Sequence, residues 1–162
     1  MPNWCEGKLK IRGKIEDIIL FLEDGTRYIA RCFYLSEQIK PKVEVNECGE
    51  LKIKCKNIQN VDELYILGTR RHFLTIEKDC FVYDEDKKEQ IVLMDFHSAW
   101  GIDTPALRDI SKKYNIDFKI YAFECGMEFN QDIEIVKGKV IKDNEIKFDD
   151  YLWECIFPDL GG

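Results

Sequence analysis

No two cysteines in this chain stand as a Cys-x-x-Cys pair, and only two histidines, His72 and His97, could join them. Zinc sites need ligands clustered in pairs, so no metal centre is expected, and nothing calls for a cofactor. The seven cysteines are odd in number and irregularly spaced, which fits reduced thiols in a cytosolic protein rather than a disulfide framework. Long apolar runs are missing too. The longest, Ile18–Leu22, is far short of the roughly 18 residues that cross a bilayer. The opening has no basic stretch leading into an apolar one, so neither a secretory signal nor a membrane partner is expected. Basic residues are in the minority, 24 against 31 acidic, for a formal charge of −7. Phosphate backbones are bound by Lys/Arg surfaces that release counterions, which argues against a nucleic-acid partner. Repeats, low-complexity tracts and linkers are absent as well, so residues 1–162 read as one domain.

What is present is ordinary for a folded globular chain: 45% apolar residues, with 12% aromatics. Lys8-Leu9-Lys10-Ile11-Arg12 alternates as a strand with one wet face, ended by Gly13. Ile15, Ile18, Ile19 and Leu22 follow at helical spacing, and Gly25 stands where a left-handed turn would end that helix. A second helix has Thr104 as its expected cap, Pro105 at its first position, and Leu107, Ile110 and Tyr114 as its apolar stripe. Lys112 and Lys113 complement its dipole, and Asn115 ends it. Ile91–Phe96 is nearly continuous apolar sequence, the mark of a central strand. Residues 116–122 alternate, as do Leu51, Ile53 and Cys55. Phe73–Ile76 and Phe81–Tyr83 are strand-like, and Ile133 and Ile135 lead to a Lys137-Gly138 turn.

This order predicts a ferredoxin-like βαββαβ fold of the α+β class, with an antiparallel sheet ordered 4-1-3-2. Added to it are an insertion at about 27–71 and a C-terminal hairpin extension at about 127–162. In that topology the start of the first strand lies beside the ends of the third and fourth. Three separated stretches then meet at one end: Asn3-Trp4-Cys5, His97-Ser98-Ala99-Trp100, and Glu124-Cys125-Gly126-Met127. The N-terminus of the second helix, at Thr104, falls there as well and could receive an anion. The candidate ligand-binding set is therefore Asn3, Trp4, His97, Trp100, Thr104, Glu124 and Gly126.

Met1-Pro2-Asn3-Trp4-Cys5-Glu6 with Leu9-x-Ile11-x-Gly13, then Gly68-Thr69-Arg70, Ala99-Trp100 and Gly126-Met127-Glu128-Phe129, resembles the YubB-type ferredoxin-like domains of plasmids and phages. That resemblance implies the same fold and no established function. Leu67, Arg71 and Gly101-Ile102-Asp103 depart from the family's motifs, which implies an altered or lost version of any family site.

Two functional readings follow. Trp4 and Trp100 either wall a ligand or plug the end of the sheet. Cys125 beside His97, with Glu124 or Asp103 as orienting carboxylate, outlines an activated thiol, although seven cysteines make such a pairing easy by chance. The favoured expectation is a non-enzymatic binding or protein-interaction module with an unknown protein or small-molecule partner. The alternative is a small-molecule enzyme working near Trp4, His97, Trp100 and Cys125. Arg70-Arg71-His72 reads as a solvated turn and Gly161-Gly162 as a frayed end. Residues 143–154 hold five carboxylates and one lysine. Within this acidic stretch and just beyond it, Leu152, Trp153, Ile156 and Phe157 need a home. The second face of the sheet needs a cover, since Ile91 and Leu93 alternate with Val92, Met94 and Phe96. The C-terminal segment is the expected cover, and the inserted strands or a homodimer through the open face are the other candidates.

Overall fold

The computed structural model describes residues 3–29, 38–56, 62–76, 82–83 and 88–162. Met1, Pro2 and Phe81, and two of the seven cysteines, Cys32 and Cys80, lie outside the described residues.

β1 (Trp4–Gly13) is the axis of the molecule. Its odd residues Cys5, Leu9 and Ile11 are buried, while Lys8, Lys10 and Arg12 are exposed. Strand geometry sends alternate side chains to opposite faces, so this pattern separates a helix-covered first face from a second face. β1 pairs antiparallel on one side with β9 (Gln90–Ala99) and on the other with β10 (Asp117–Glu124). These are the two neighbours that the apolar and alternating patterns of those segments lead one to expect.

The ferredoxin-like α+β class does not hold. Strands make up 52% of the described residues and helices 18%. Beyond β10 the ladder continues through β11 (Phe129–Val136) and β12 (Lys139–Lys147). Beyond β9 it runs through β7 (His72–Thr75), β6 (Glu63–Ile66), β2 (Thr26–Ile29) and β3 (Gln38–Ile39), with the short β8 (Val82–Tyr83) also on β9. The result is a ten-stranded, antiparallel sheet instead of a four-stranded one. The physical reason is edge satisfaction: a short sheet leaves backbone groups unpaired at both edges, and the inserted and C-terminal segments occupy those positions.

α1 (Ile15–Asp24) buries Ile18, Phe21 and Leu22 against the first face, and α2 (Thr104–Tyr114) buries Leu107, Ile110 and Tyr114. Leu9, Ile11, Val92, Met94, Phe118 and Ile120 meet them from the sheet. Gly25 ends α1 with φ −89°, so the expected left-handed turn is absent. Glycine is needed there for space instead, because a Cβ would lie 2.8 Å from Phe21 Cδ2 and 3.0 Å from Tyr114 Cε2. A separate hairpin, β4 (Pro41–Val45) with β5 (Leu51–Cys55), lies over α1, where the Val43 N–H donates to Glu23 Oε1 at 2.9 Å.

The C-terminal segment does reach the second face, where Phe157 packs on Phe123 at 5.6 Å, but the apolar residues expected to cover it are mostly turned outward. α3 (Tyr151–Glu154) and the residues after it bury Tyr151 and Cys155, while Leu152, Trp153, Ile156 and Phe157 are 76%, 86%, 82% and 55% exposed. Tyr151 and Cys155 are the pair that reach Asn130 on β11. The Tyr151 hydroxyl donates to Asn130 Oδ1 at 3.1 Å, and Asn130 Nδ2 donates to Cys155 Sγ at 3.5 Å. A buried amide needs partners, and meeting that need decides which way the segment faces. Among the described residues no helix is long and apolar enough to cross a membrane.

Candidate functional site

The three stretches converge, but on each other rather than around a cavity. The Trp100 N–H donates to the Asn3 carbonyl at 2.9 Å, with Trp100 at φ 69°. Glu124, 1% exposed, accepts from the Gly126 N–H at 2.9 Å and the Met127 N–H at 2.7 Å, so its carboxylate organises the turn after β10. A Cβ on Gly126 would lie 2.5 Å from Asn3 Nδ2, which shows how closely the first and third stretches pack.

Gly161-Gly162 completes this end instead of fraying. The Gly162 N–H donates to the Trp4 carbonyl at 2.8 Å, and the Cys125 thiol donates to the Gly161 carbonyl at 2.8 Å. Gly161 has φ 83°, and a Cβ there would sit 2.4 Å from the Phe123 carbonyl oxygen, so only glycine fits. Cys5, beneath, has its thiol pushed up to about 12, first by burial and then by the charges of Glu124 and Glu6. That thiol is inert at neutral pH.

Trp4 and Trp100 form no common wall. Trp4 turns onto the second face, edge-on to His97 at 4.9 Å and to Phe73 at 6.0 Å. Trp100, 52% exposed, lines a shallow depression with Arg70, Asp103 and Gln131. The His97–Cys125 outline is corrected as well. His97 stacks on Phe73 at 5.1 Å and places Nε2 3.0 Å from Glu63 Oε1, while Cys125 is engaged with Gly161. Thr104 is not the helix cap. Asp103 is, its Oδ1 accepting from the Ala106 N–H at 3.1 Å, so a carboxylate of the chain itself already occupies the anion position at α2.

His72 is the residue that the sequence reading missed. It is fully buried, not part of a solvated turn. Its Nε2 accepts the Asp103 N–H at 2.8 Å, which places the ring proton on Nδ1, shared between the Arg70 carbonyl at 3.2 Å and Ser98 Oγ at 3.0 Å. The Ser98 hydroxyl donates to the Gly101 carbonyl. Burial lowers the His72 pKa to about 4, against smaller opposing effects from Asp103 and backbone hydrogen bonds, so the ring is neutral at physiological pH. Gln131, from β11, is the second unforeseen member, its Oε1 accepting the Ile102 N–H at 2.8 Å. One sequence signal pointed to His72: it alternates with Leu74 on a strand, which puts it on the apolar face.

The second face carries another opening. A hollow of about 790 Å³ opens over β1, β9 and β10, lined by Glu6, Lys8, Asp95, His97, Tyr121 and Phe123 and closed on one side by Phe157 and Leu160. Lys8 is paired with Asp95 across the strands. Phe123 makes a ring corner, tilted on Tyr121 at 5.2 Å and perpendicular to Phe157 at 5.6 Å. Among the described residues, Cys5, Cys48, Cys55, Cys125 and Cys155 are free thiols, and no group of three His, Cys, Asp or Glu side chains could hold a metal ion. Comparison with known proteins yields no matching family model, curated protein or solved structure. The resemblance to YubB-type domains therefore rests on the quoted motifs alone.

Proposed function

We propose that this protein is a non-enzymatic interaction module that docks a positively charged protein partner on the outer side of its C-terminal segment. The observation that carries the reading is the division within that segment. Tyr151 and Cys155 are anchored on Asn130, and the anchor holds Leu152, Trp153 and Ile156 outward, with Phe157 half-exposed beside them and packed on Phe123. Contiguous exposed apolar residues of this size mark interaction sites, and tryptophan is enriched where binding energy concentrates.

Residues 148–162 contain four carboxylates, Asp149, Asp150, Glu154 and Asp159, and no lysine or arginine. A second copy would bring like charges together, whereas a basic segment with aliphatic residues matches both the charge and the apolar row. The filled end of the sheet supports this reading over an enzyme working there. The exposed thiol of Cys48 supports a reducing, cytoplasmic setting.

The test compares the immobilised chain with its Trp153→Ser/Ile156→Ser variant, first for a saturable partner in extract of the source cell and then with that partner purified. The expected result is a more than tenfold loss of affinity at unchanged melting temperature. Equal binding by both, or no saturable partner, removes the reading.

A further inference from the structure

We infer that the hollow on the second face binds an organic cation, the guanidinium or ammonium tip of an arginine- or lysine-like group. The inference deepens the docking reading and rests on it only for where the cation comes from. Glu6 stands in register between His97 on β9 and Phe123 on β10, and its side chain lines the hollow. Among the described residues, the other polar side chains of the lining that carry or could carry charge are engaged. Lys8 pairs with Asp95, and the His97 imidazole sits on Glu63 at 3.0 Å. Among the described residues no cation pairs with Glu6, which makes its carboxylate the unmatched charge of the described lining.

The walls suit the same ligand. Phe123 and Phe157 stand perpendicular at 5.6 Å with Tyr121 tilted on Phe123, and all three line the hollow together with Glu6. Aromatic faces attract cations through the ring quadrupole, and the effect grows where water is displaced. The flat guanidinium or the methylene stem of a lysine would cover the apolar part of the wall, with its tip on the carboxylate. Among the described residues of the lining an anion would find no free cation, because Lys8 is engaged with Asp95. Phe157 belongs both to this wall and to the outward row of the C-terminal segment. A basic chain lying along that row would therefore reach the hollow with one side chain.

The experiment is an NMR titration of the full chain with N-acetyl-arginine amide and with agmatine, using N-acetyl-citrulline amide as the neutral isostere. The expected result is shifts at the Tyr121, Phe123 and Phe157 rings, with the cation at least tenfold tighter than citrulline. Affinity should fall about tenfold in Glu6→Gln and also in Phe123→Leu, each first shown to be folded by its melting curve. Tighter binding of the arginine amide assigns the cation to a partner's chain, and tighter binding of agmatine assigns it to a free small molecule. Either supports the site. Equal binding of citrulline, no shift at these rings, or unchanged affinity in Glu6→Gln overturns it. Retention of cation binding in Trp153→Ser/Ile156→Ser, with the partner lost, separates this site from the docking row. Loss of cation binding in Glu6→Gln with a fully retained partner limits the chain-borne source without touching the docking reading.

Discussion

His72 Nε2 accepts the backbone N–H of Asp103 at 2.8 Å, so a fully buried neutral imidazole on β7 fixes the loop that launches α2. The same ring holds Arg70 and Ser98 through Nδ1, and Asp103 in turn caps the helix. One residue thereby joins an inserted strand to the central strand and a helix.

The first prediction concerns pH. The His72 pKa is about 4 in the fold, against an ordinary 6.5 in the unfolded chain. Because the folded value is depressed, its contribution to stability is full above about pH 6.5 and is lost as pH falls toward 4. The whole shift corresponds to about 3 kcal/mol. His72→Gln keeps an acceptor for the Asp103 N–H but cannot titrate. Denaturant midpoints should fall less steeply between pH 6.5 and 4 in the variant than in the parent protein. Parallel curves would show that the imidazole is not the group titrating.

Asp117 and Arg12 should be unequal partners. Asp117 is 5% exposed and accepts from Arg12 Nε at 2.7 Å, from Arg12 Nη2 at 2.5 Å and from the Lys137 N–H at 3.1 Å. Arg12 is half-exposed. Asp117→Ala strands a backbone donor as well as a guanidinium and is expected to cost roughly 2–4 kcal/mol, and Arg12→Ala about 1 kcal/mol. Urea unfolding of the two variants checks the order, and a larger loss in Arg12→Ala would reverse it.

Thiol reactivity should rank by position. Of the described cysteines, Cys48 is the exposed one and should alkylate first. Cys5, buried and with its pKa pushed up to about 12, should resist iodoacetamide until the protein unfolds. Peptide mass spectrometry over a time course reads this directly, and early modification of Cys5 contradicts the packing of the sheet end.

Gly161→Ala should release the terminal segment locally. Its Cβ would fall 2.4 Å from the Phe123 carbonyl oxygen and 2.6 Å from the Trp4 carbonyl oxygen at a φ of 83°. Cys125, whose thiol donates to the Gly161 carbonyl, should then alkylate more than tenfold faster while the main melting transition stays in place. An unchanged Cys125 rate would mean that the segment tolerates the methyl.

Local pattern alone determined a good part of this protein. Alternation at 8–12 and 117–123 marked two strands that do pair. Pro105 and Asn115 bracketed α2, with Asn115 at φ 55° as a left-handed cap. Lys137 and Gly138, at φ 47° and 80°, form the turn between β11 and β12. Periods of 2 and 3.6 arise from backbone geometry within a few residues, so they survive in the sequence. The convergence of Asn3, Trp100, Glu124 and Gly126 followed from two correct strand neighbours. That the convergence is filled did not, because filling depends on Gly161 and Gly162, dozens of residues away in the chain.

Only the tertiary structure decided how the sheet extends at both edges, that His72 is interior, and which side of residues 151–157 is inside. Apolar character put Leu152, Trp153, Ile156 and Phe157 over the second face of the sheet. The hydrogen-bond demand of buried Asn130 selected Tyr151 and Cys155 instead. Long-range pairing of polar groups has no period, so no short stretch of sequence displays it.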